Sequence, residues 1–348
     1  MKVAFGTQEG DHFPSFSLYF EGPSSASCQA ACEHCYIPRD GRNGTHLETC
    51  LEQFDDLVAR SYTIEPKVPD TFSRDGEYLR MGILRNNHLY AQQEIKKCGI
   101  AWTSGLPLLR GNGEQLLDLA HDCNLSIISF TGPALVGLIK GLVPASVTEA
   151  AIRFVQGWNR RRPSEHRFKI SITFTIGHLN KDPDLVRSYI EYTRKLSADF
   201  IRFNRFIDFT EDRRFRNLIM SDEETAQFFA DIAPILACYD SPTVMVSNDF
   251  GFTGIEAIGG HKGLNDCSGG TGSFAIFNSL VFPCDELLRY PIGKLVRNPD
   301  DHRWDVQFKP GALKALAAMK RSGAYNGCIA HLFASTNQLS DSVVLLRS

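Results

Sequence analysis

The chain has 348 residues, of which 43% are hydrophobic and 22% charged, and a formal net charge of −3. These values fit one large globular domain, or a domain plus an extension, and exclude a strongly basic nucleic-acid surface. The basic run "NRRRP" (159–163) reads as a solvated helix end, and no nucleic-acid partner is expected. No stretch approaches about 18 consecutive apolar residues, so no membrane partner is expected. The start, "MKVAFGTQEGDHF", lacks the apolar core of a signal peptide, and a cytoplasmic location is expected.

In chain order, "FSLYF" (16–20) reads as the first strand. Segment 37–99 is the least regular, with a helix expected near 47–60 and a strand near 71–80. Strands follow at "IAWTS" (100–104), "SIISFT" (126–131), "KISITFTI" (169–176), "FIRFNRFI" (200–207) and "TVMVSN" (243–248). Between them lie helical stretches at 113–123, 146–161, 183–196 and 222–237. In "PDLVRSYIEYTRKL", Leu185, Tyr189, Tyr192 and Leu196 recur at helical spacing. Strands alternating with helices imply βα units around a parallel sheet. From about 250 the chain turns glycine-rich and stops alternating. A hairpin around "FAIFNSLVFPC" and a helix at "GALKALAAMKRSG" (311–323) follow. A boundary is therefore placed near 250, dividing the chain into 1–250 and 251–348.

Ten cysteines without a secretory signal call for a role in metal binding or redox chemistry. Cys50, Cys98 and Cys123 lie in or beside apolar segments and read as small buried hydrophobes. Two groups stand apart. "CQAACEHCY" sets Cys28, Cys32 and Cys35 in a C-x3-C-x2-C spacing after a strand. Three thiols on one loop can ligate three irons of a cubane and leave the fourth open. Near the C-terminus come Cys267, Cys284 and "GCIAH", with Cys328 and, three residues on, His331. A zinc site is the competing reading of either group.

The first loop, the strand before it, Tyr36 and the βα series resemble the radical S-adenosylmethionine (SAM) superfamily. The resemblance implies an α/β fold: a partial (β/α)6 barrel with a small C-terminal auxiliary-cluster extension. It implies a [4Fe–4S] cluster on Cys28, Cys32 and Cys35, with SAM on the open iron and cleaved to a 5′-deoxyadenosyl radical. "DGEYL" (75–79) lies where the family's Gly-Gly-Glu motif falls. Gly76 and Glu77 match it and Asp75 departs from it. Ser129, Thr131 and Thr173 are candidate SAM-binding hydroxyls, and Thr is equally an ordinary strand residue. Arg202 and Arg205 are unusual charges in an apolar strand, suited to an anion or to a salt bridge.

The stretch from Cys267 to His331 resembles the SPASM or twitch extension, which holds an auxiliary Fe–S cluster. Cys267, Cys284 and Cys328 match, and His331 stands where the shorter form has its last cysteine. As a ligand, His331 would raise the cluster's potential, as in Rieske centres. Asn278 and Ser279 replace the usual turn residues. Cys238, in neither group, is a candidate hydrogen donor to a substrate radical.

With 27 residues before Cys28, no leader-binding domain is expected. The expected substrate is a small polar metabolite of sugar, aminocyclitol or nucleoside type in natural-product (antibiotic) biosynthesis. Oxidation by an oxidoreductase ranks first, epimerisation second and sulfur insertion third. A flavodoxin-type protein is the expected electron donor. The alternatives are ribosomal-peptide maturation and a zinc-bound structural protein.

Overall fold

The computed structural model describes residues 3–5, 15–19, 47–59, 63–67, 70–73, 76, 79, 99–123, 125–132, 143–207, 215, 217–260 and 267–335. Its first half alternates: β1 (Val3–Phe5), β2 (Ser15–Tyr19), α1 (Leu47–Ala59), β3 (Thr63–Lys67), β4 (Gly99–Thr103), α2 (Gly113–Asp122), β5 (Leu125–Thr131) and α3 (Ala145–Arg160). It continues with β6 (Lys169–Ile176), α4 (Pro183–Lys195), β7 (Phe200–Arg205), α5 (Asp222–Ala237) and β8 (Thr243–Val246). Two hairpins follow, β9 (Ser273–Phe277) with β10 (Leu280–Phe282), and β11 (Gly293–Arg297) with β12 (Trp304–Phe308). Helices α6 (Ala312–Lys320) and α7 (Ile329–Ser335) complete the described chain.

One sheet has the order β1-β8-β7-β6-β5-β4, and every pairing in it is parallel. From β4 to β8 each strand neighbours the next in sequence, the winding of a barrel wall rather than of a doubly wound sheet. The other sheet has the order β12-β11-β10-β9-β2-β3, with β2 parallel to both β9 and β3. The two sheets meet just past β3. There the Thr71 amide donates to the Trp102 carbonyl at 2.8 Å, and the Trp102 amide to Thr71 Oγ1 at 2.9 Å. The strand expected near 71–80 is not formed at its described residues, of which 71–72 make a turn, and the pairing strand lies earlier, in β3. Because β2 and β3 share a sheet with β9–β12, a division at 250 does not separate the sheets.

Period-two alternation explains the faces. On β6 the buried Ile170, Ile172, Phe174 and Ile176 belong to the core, and Phe174 stacks on Tyr189 of α4 at 4.3 Å. The buried stripe of α4 is Val186, Tyr189, Ile190 and Thr193, while Leu185 and Tyr192 lie at its margin. Thr173 and Thr175 therefore occupy the opposite face of β6, as does Arg202 of β7, which is in register with Thr173. The run at 159–163 closes α3 onto α2: Arg161 pairs with Glu114 at 2.7 Å, and Arg162 pairs with Asp118 and stacks over Trp158.

Candidate functional site

The helix-free face of the parallel sheet carries a row of polar side chains. Thr131, Thr173 and Arg202 are in register across β5, β6 and β7. Ser129 Oγ and Thr173 Oγ1 share a hydrogen bond of 2.9 Å. Thr131 is exposed at its strand end. The Arg202 guanidinium lies 5.0 Å from the Trp102 ring centroid and donates to Asn204 Oδ1 at 2.9 Å and Ser247 Oγ at 3.2 Å. Burial, the largest influence, lowers its pKa, and Asp249 and Glu286 oppose this. Arg205 has a different place. It is buried and donates to the Met220 and Ser221 carbonyls and to Asp222, tying β7 to the start of α5.

Gly76 is buried at φ +74°, where a Cβ would lie 2.9 Å from Leu119 Cδ2 and 3.0 Å from Leu116 Cδ2. Close packing on α2 thus accounts for this glycine. Glu77 lies outside the described residues, as do Cys28, Cys32, Cys35 and Cys98. A residue that the sequence reading passed over, Asp70, holds the junction after β3. Its carboxylate accepts from the amides of Phe72 (3.1 Å) and Ser104 (2.9 Å) and from Ser104 Oγ (2.7 Å). The Pro-Asp pair in "VPDTFS" signals the side-chain turn that Asp70 makes.

Cys267, Cys284 and Cys328 line one cavity of about 220 Å³. Its other walls include Ser17 of β2, the Ser247–Asp249 segment that leaves β8, and Asp285 and Glu286. The cavity thus lies between the end of β8 in the parallel sheet and the strands β2 and β9 of the other sheet. Two of the sulfurs accept backbone N–H bonds, Cys267 Sγ from Gly269 (3.2 Å) and Cys328 Sγ from His331 (3.4 Å). Gly269 leaves a hollow beside them: a Cβ there would stand 3.1 Å from each of Cys267 Sγ, Cys284 Cβ and Ile329 Cγ2. Burial pushes all three thiols up, those of Cys284 and Cys328 well up, so thiolates form here only when a cation replaces the protons. Among the described residues no three His, Cys, Asp or Glu side chains converge closely enough for a single metal ion. Thiols spread around a cavity, two of them accepting backbone N–H groups, fit a cluster better than one zinc ion.

His331 stands apart from this set. Its Nδ1 lies 3.0 Å from Asn326 Nδ2 and 3.7 Å from Asp222 Oδ1. Burial first, then the Arg205 guanidinium, lowers its pKa to about 4, so the ring is neutral. Its backbone N–H, not its ring, is what meets Cys328. Cys238 is exposed, and its thiol donates to the Pro234 carbonyl at 3.2 Å. It lies between α5 and the start of β8, whereas the cavity lies past the other end of that strand. Cys50 and Cys123 are buried with pKa values pushed up to about 12, as packed hydrophobes.

No protein-family model matches the chain, and no curated protein matches it. Solved structures do. The anSMEcpe structure with bound AdoMet aligns with a TM-score of 0.52 and 15% identity, covering 81% of this chain and 77% of that one. Streptococcus suis SuiB bound to the precursor peptide SuiA aligns with a TM-score of 0.53 and 11% identity, covering 96% and 70%. SuiB bound to S-adenosylmethionine gives 0.51 and 9%. Among the described residues no helix is long and apolar enough to cross a membrane. At these identities the likeness is one of architecture: the chain shares the α/β fold of these solved structures.

Proposed function

We propose that this chain is a radical SAM enzyme with an auxiliary Fe–S cluster, acting on an unactivated carbon of its substrate. The observation that carries the reading is one cavity lined by the three C-terminal thiols together with Ser17 of β2 and Asp249 past the end of β8. When bound, SAM and its [4Fe–4S] cluster supply the 5′-deoxyadenosyl radical that takes a hydrogen atom from carbon. Cys28, Cys32 and Cys35 hold that cluster, and a flavodoxin-type protein reduces it. Ser129 and Thr173, bonded to one another on the polar face of the sheet, bind SAM's hydroxyl or carboxylate groups. Arg202, fixed by Asn204 and Ser247, orients an anionic or hydroxylated group against that face. Cys267, Cys284 and Cys328 hold the auxiliary cluster, and His331 remains bonded to Asn326 behind it.

Two-electron oxidation is the outcome this arrangement favours. Epimerisation needs a hydrogen donor, and Cys238 sits at the wrong end of β8. Sulfur insertion ranks third. The substrate is a small polar metabolite of sugar, aminocyclitol or nucleoside type. A second reading, peptide maturation, is favoured by the SuiB structure, which is bound to a precursor peptide.

Iron and sulfide analysis of anaerobically purified protein tests the proposal, with about eight iron atoms per chain expected for two cubanes. Changing Cys28, Cys32 and Cys35 to Ala should abolish 5′-deoxyadenosine formation and leave the auxiliary iron signal. Full 5′-deoxyadenosine production by that variant, or zinc in place of iron, refutes the reading. Product mass then decides the outcome: loss of two hydrogens for oxidation, one solvent deuterium without change of connectivity for epimerisation, and gain of sulfur for insertion.

A further inference from the structure

Lys320 is the last residue of α6 and is half-buried. Its ammonium turns to the loop that carries Cys267. It donates to the Cys267 carbonyl, to the Gly269 carbonyl at 3.4 Å and to Thr271 Oγ1 at 3.1 Å. An ammonium has three N–H donors, and each finds an acceptor on this one loop. The Tyr325 ring lies 5.3 Å from Nζ, and the Tyr325 hydroxyl donates to the same Cys267 carbonyl at 3.3 Å. The Cys267 amide donates to the Gly327 carbonyl at 2.8 Å, which ties the loop to the residue before Cys328. Among the described residues no carboxylate pairs with Lys320. Its charge is met by carbonyl, hydroxyl and ring dipoles alone, and it remains positive behind Cys267. Burial, the largest influence, raises the pKa of the Cys267 thiol; the Gly269 N–H and the Lys320 charge lower it, and Glu286 adds to the rise.

We infer that Lys320 is a positioning residue of the auxiliary cluster: it fixes the Cys267 loop and holds a positive charge behind the Cys267 sulfur, which raises the cluster's reduction potential. Net charge and hydrogen bonding around the sulfurs are among the levers that set such potentials. An added electron is a negative charge, and a fixed cation close by favours the reduced form. That direction suits an electron acceptor, which is the part the cluster has in the proposed oxidation. The inference rests on the reading of Cys267, Cys284 and Cys328 as cluster ligands. A lysine that served only as a clamp would hold the loop equally well through a neutral donor and would leave the potential where it is.

The full chain with Cys28, Cys32 and Cys35 changed to Ala isolates the auxiliary cluster. Iron content and the midpoint of a redox titration, read by electron paramagnetic resonance, are measured on this parent. The same is done with Lys320→Gln, Lys320→Arg or Lys314→Gln added. The first substitution keeps hydrogen-bond donors without the charge, and the second keeps the charge. Lys314 is an exposed lysine of the same helix. Lys320→Gln should retain iron and move the reduced-to-oxidised ratio at a fixed applied potential about tenfold toward the oxidised form, a midpoint lower by about 59 mV for one electron. Lys320→Arg and Lys314→Gln should leave the midpoint in place. Loss of iron from Lys320→Gln with retention in Lys320→Arg also supports the inference, since charge then restores what the neutral donor cannot. An unmoved midpoint in iron-loaded Lys320→Gln overturns it. So does an equal shift in Lys320→Arg, or loss of iron from both variants, because shape and not charge is then what the loop requires. A parent without iron removes the cluster reading itself, a failure told apart from the others because Lys320 is intact there.

Discussion

Asn326 is the residue on which the junction of the two sheets should prove most sensitive. It is 4% exposed and bonds in three directions through its side chain. Its Nδ2 donates to Asp222 Oδ1 at 2.7 Å and lies 3.0 Å from His331 Nδ1, while its Oδ1 accepts the Cys328 amide at 3.1 Å. Asn326→Leu keeps the volume and removes all three. The bond to a carboxylate is worth about 1.5–3 kcal/mol, and the buried Cys328 N–H, left unpaired, costs about 1–3 kcal/mol. The bond with neutral His331 adds about 1 kcal/mol. The expected loss is thus about 3.5–7 kcal/mol, a large part of the 5–15 kcal/mol that holds a typical domain folded. Urea denaturation read by fluorescence measures it, with Asn326→Asp as companion, since Asp retains the acceptor for Cys328. A loss under about 1 kcal/mol in Asn326→Leu would mean that water replaces these bonds and that the junction does not depend on them.

Two further outcomes follow from the same geometry. Gly269→Ala places a Cβ 3.1 Å from Cys267 Sγ, Cys284 Cβ and Ile329 Cγ2, an overpacking worth about 1–3 kcal/mol; auxiliary iron and the unfolding midpoint should both fall, and unchanged iron content refutes the hollow as a cluster cradle. Asp70 has its pKa raised above 3.8 by burial, against the lowering pull of its bonds from Ser104 and Phe72, so the stability it contributes is full below its unfolded pKa and is lost as pH rises through the folded one; Asp70→Asn should remove that decline, and a wild type that gains on the variant with rising pH refutes the sign.

What could be read from the sequence is what local chemistry specifies. Strand 169–176 and helix 222–237 appear at their expected bounds. Strict alternation marks the strand, and Ser221 with Glu224 closes a capping box before the helix. Asn278 and Ser279 both take positive φ, which is how a two-residue hairpin turn is made without the usual Asp-Gly. The strands passed over are those whose pairing is decided elsewhere. β3, "TIEPK", carries a proline that argues against a strand, but it lies at a sheet edge, where proline is tolerated. β1 is three residues long and exists by pairing with β8. β12, "WDVQF", is half-exposed throughout and is held by its partner β11. The C-x2-H spacing said that Cys328 and His331 are neighbours. It could not say that Asn326 and Asp222, the latter over a hundred positions earlier, hold the ring.

The cavity carries the same lesson to the level of the site. Ser17 is in register with Ala275, so the strand that leads into the Cys28–Cys35 loop lies beside the strand that follows Cys267. Nothing local in "FSLYF" or "SFAIF" asks for that pairing; both are generic apolar strands that any sheet would accept. Once it forms, Asp285, two strands of sequence away from any barrel residue, comes within reach of Ser17. Asp249, a turn residue after β8, is a buried carboxylate on the wall of the cavity it shares with Cys284, Asp285, Glu286 and Cys328. Its sequence context, "SNDFG", reads as an exposed turn, the setting in which an aspartate costs nothing. The burial of Asp249 is therefore a tertiary property that no motif around it records.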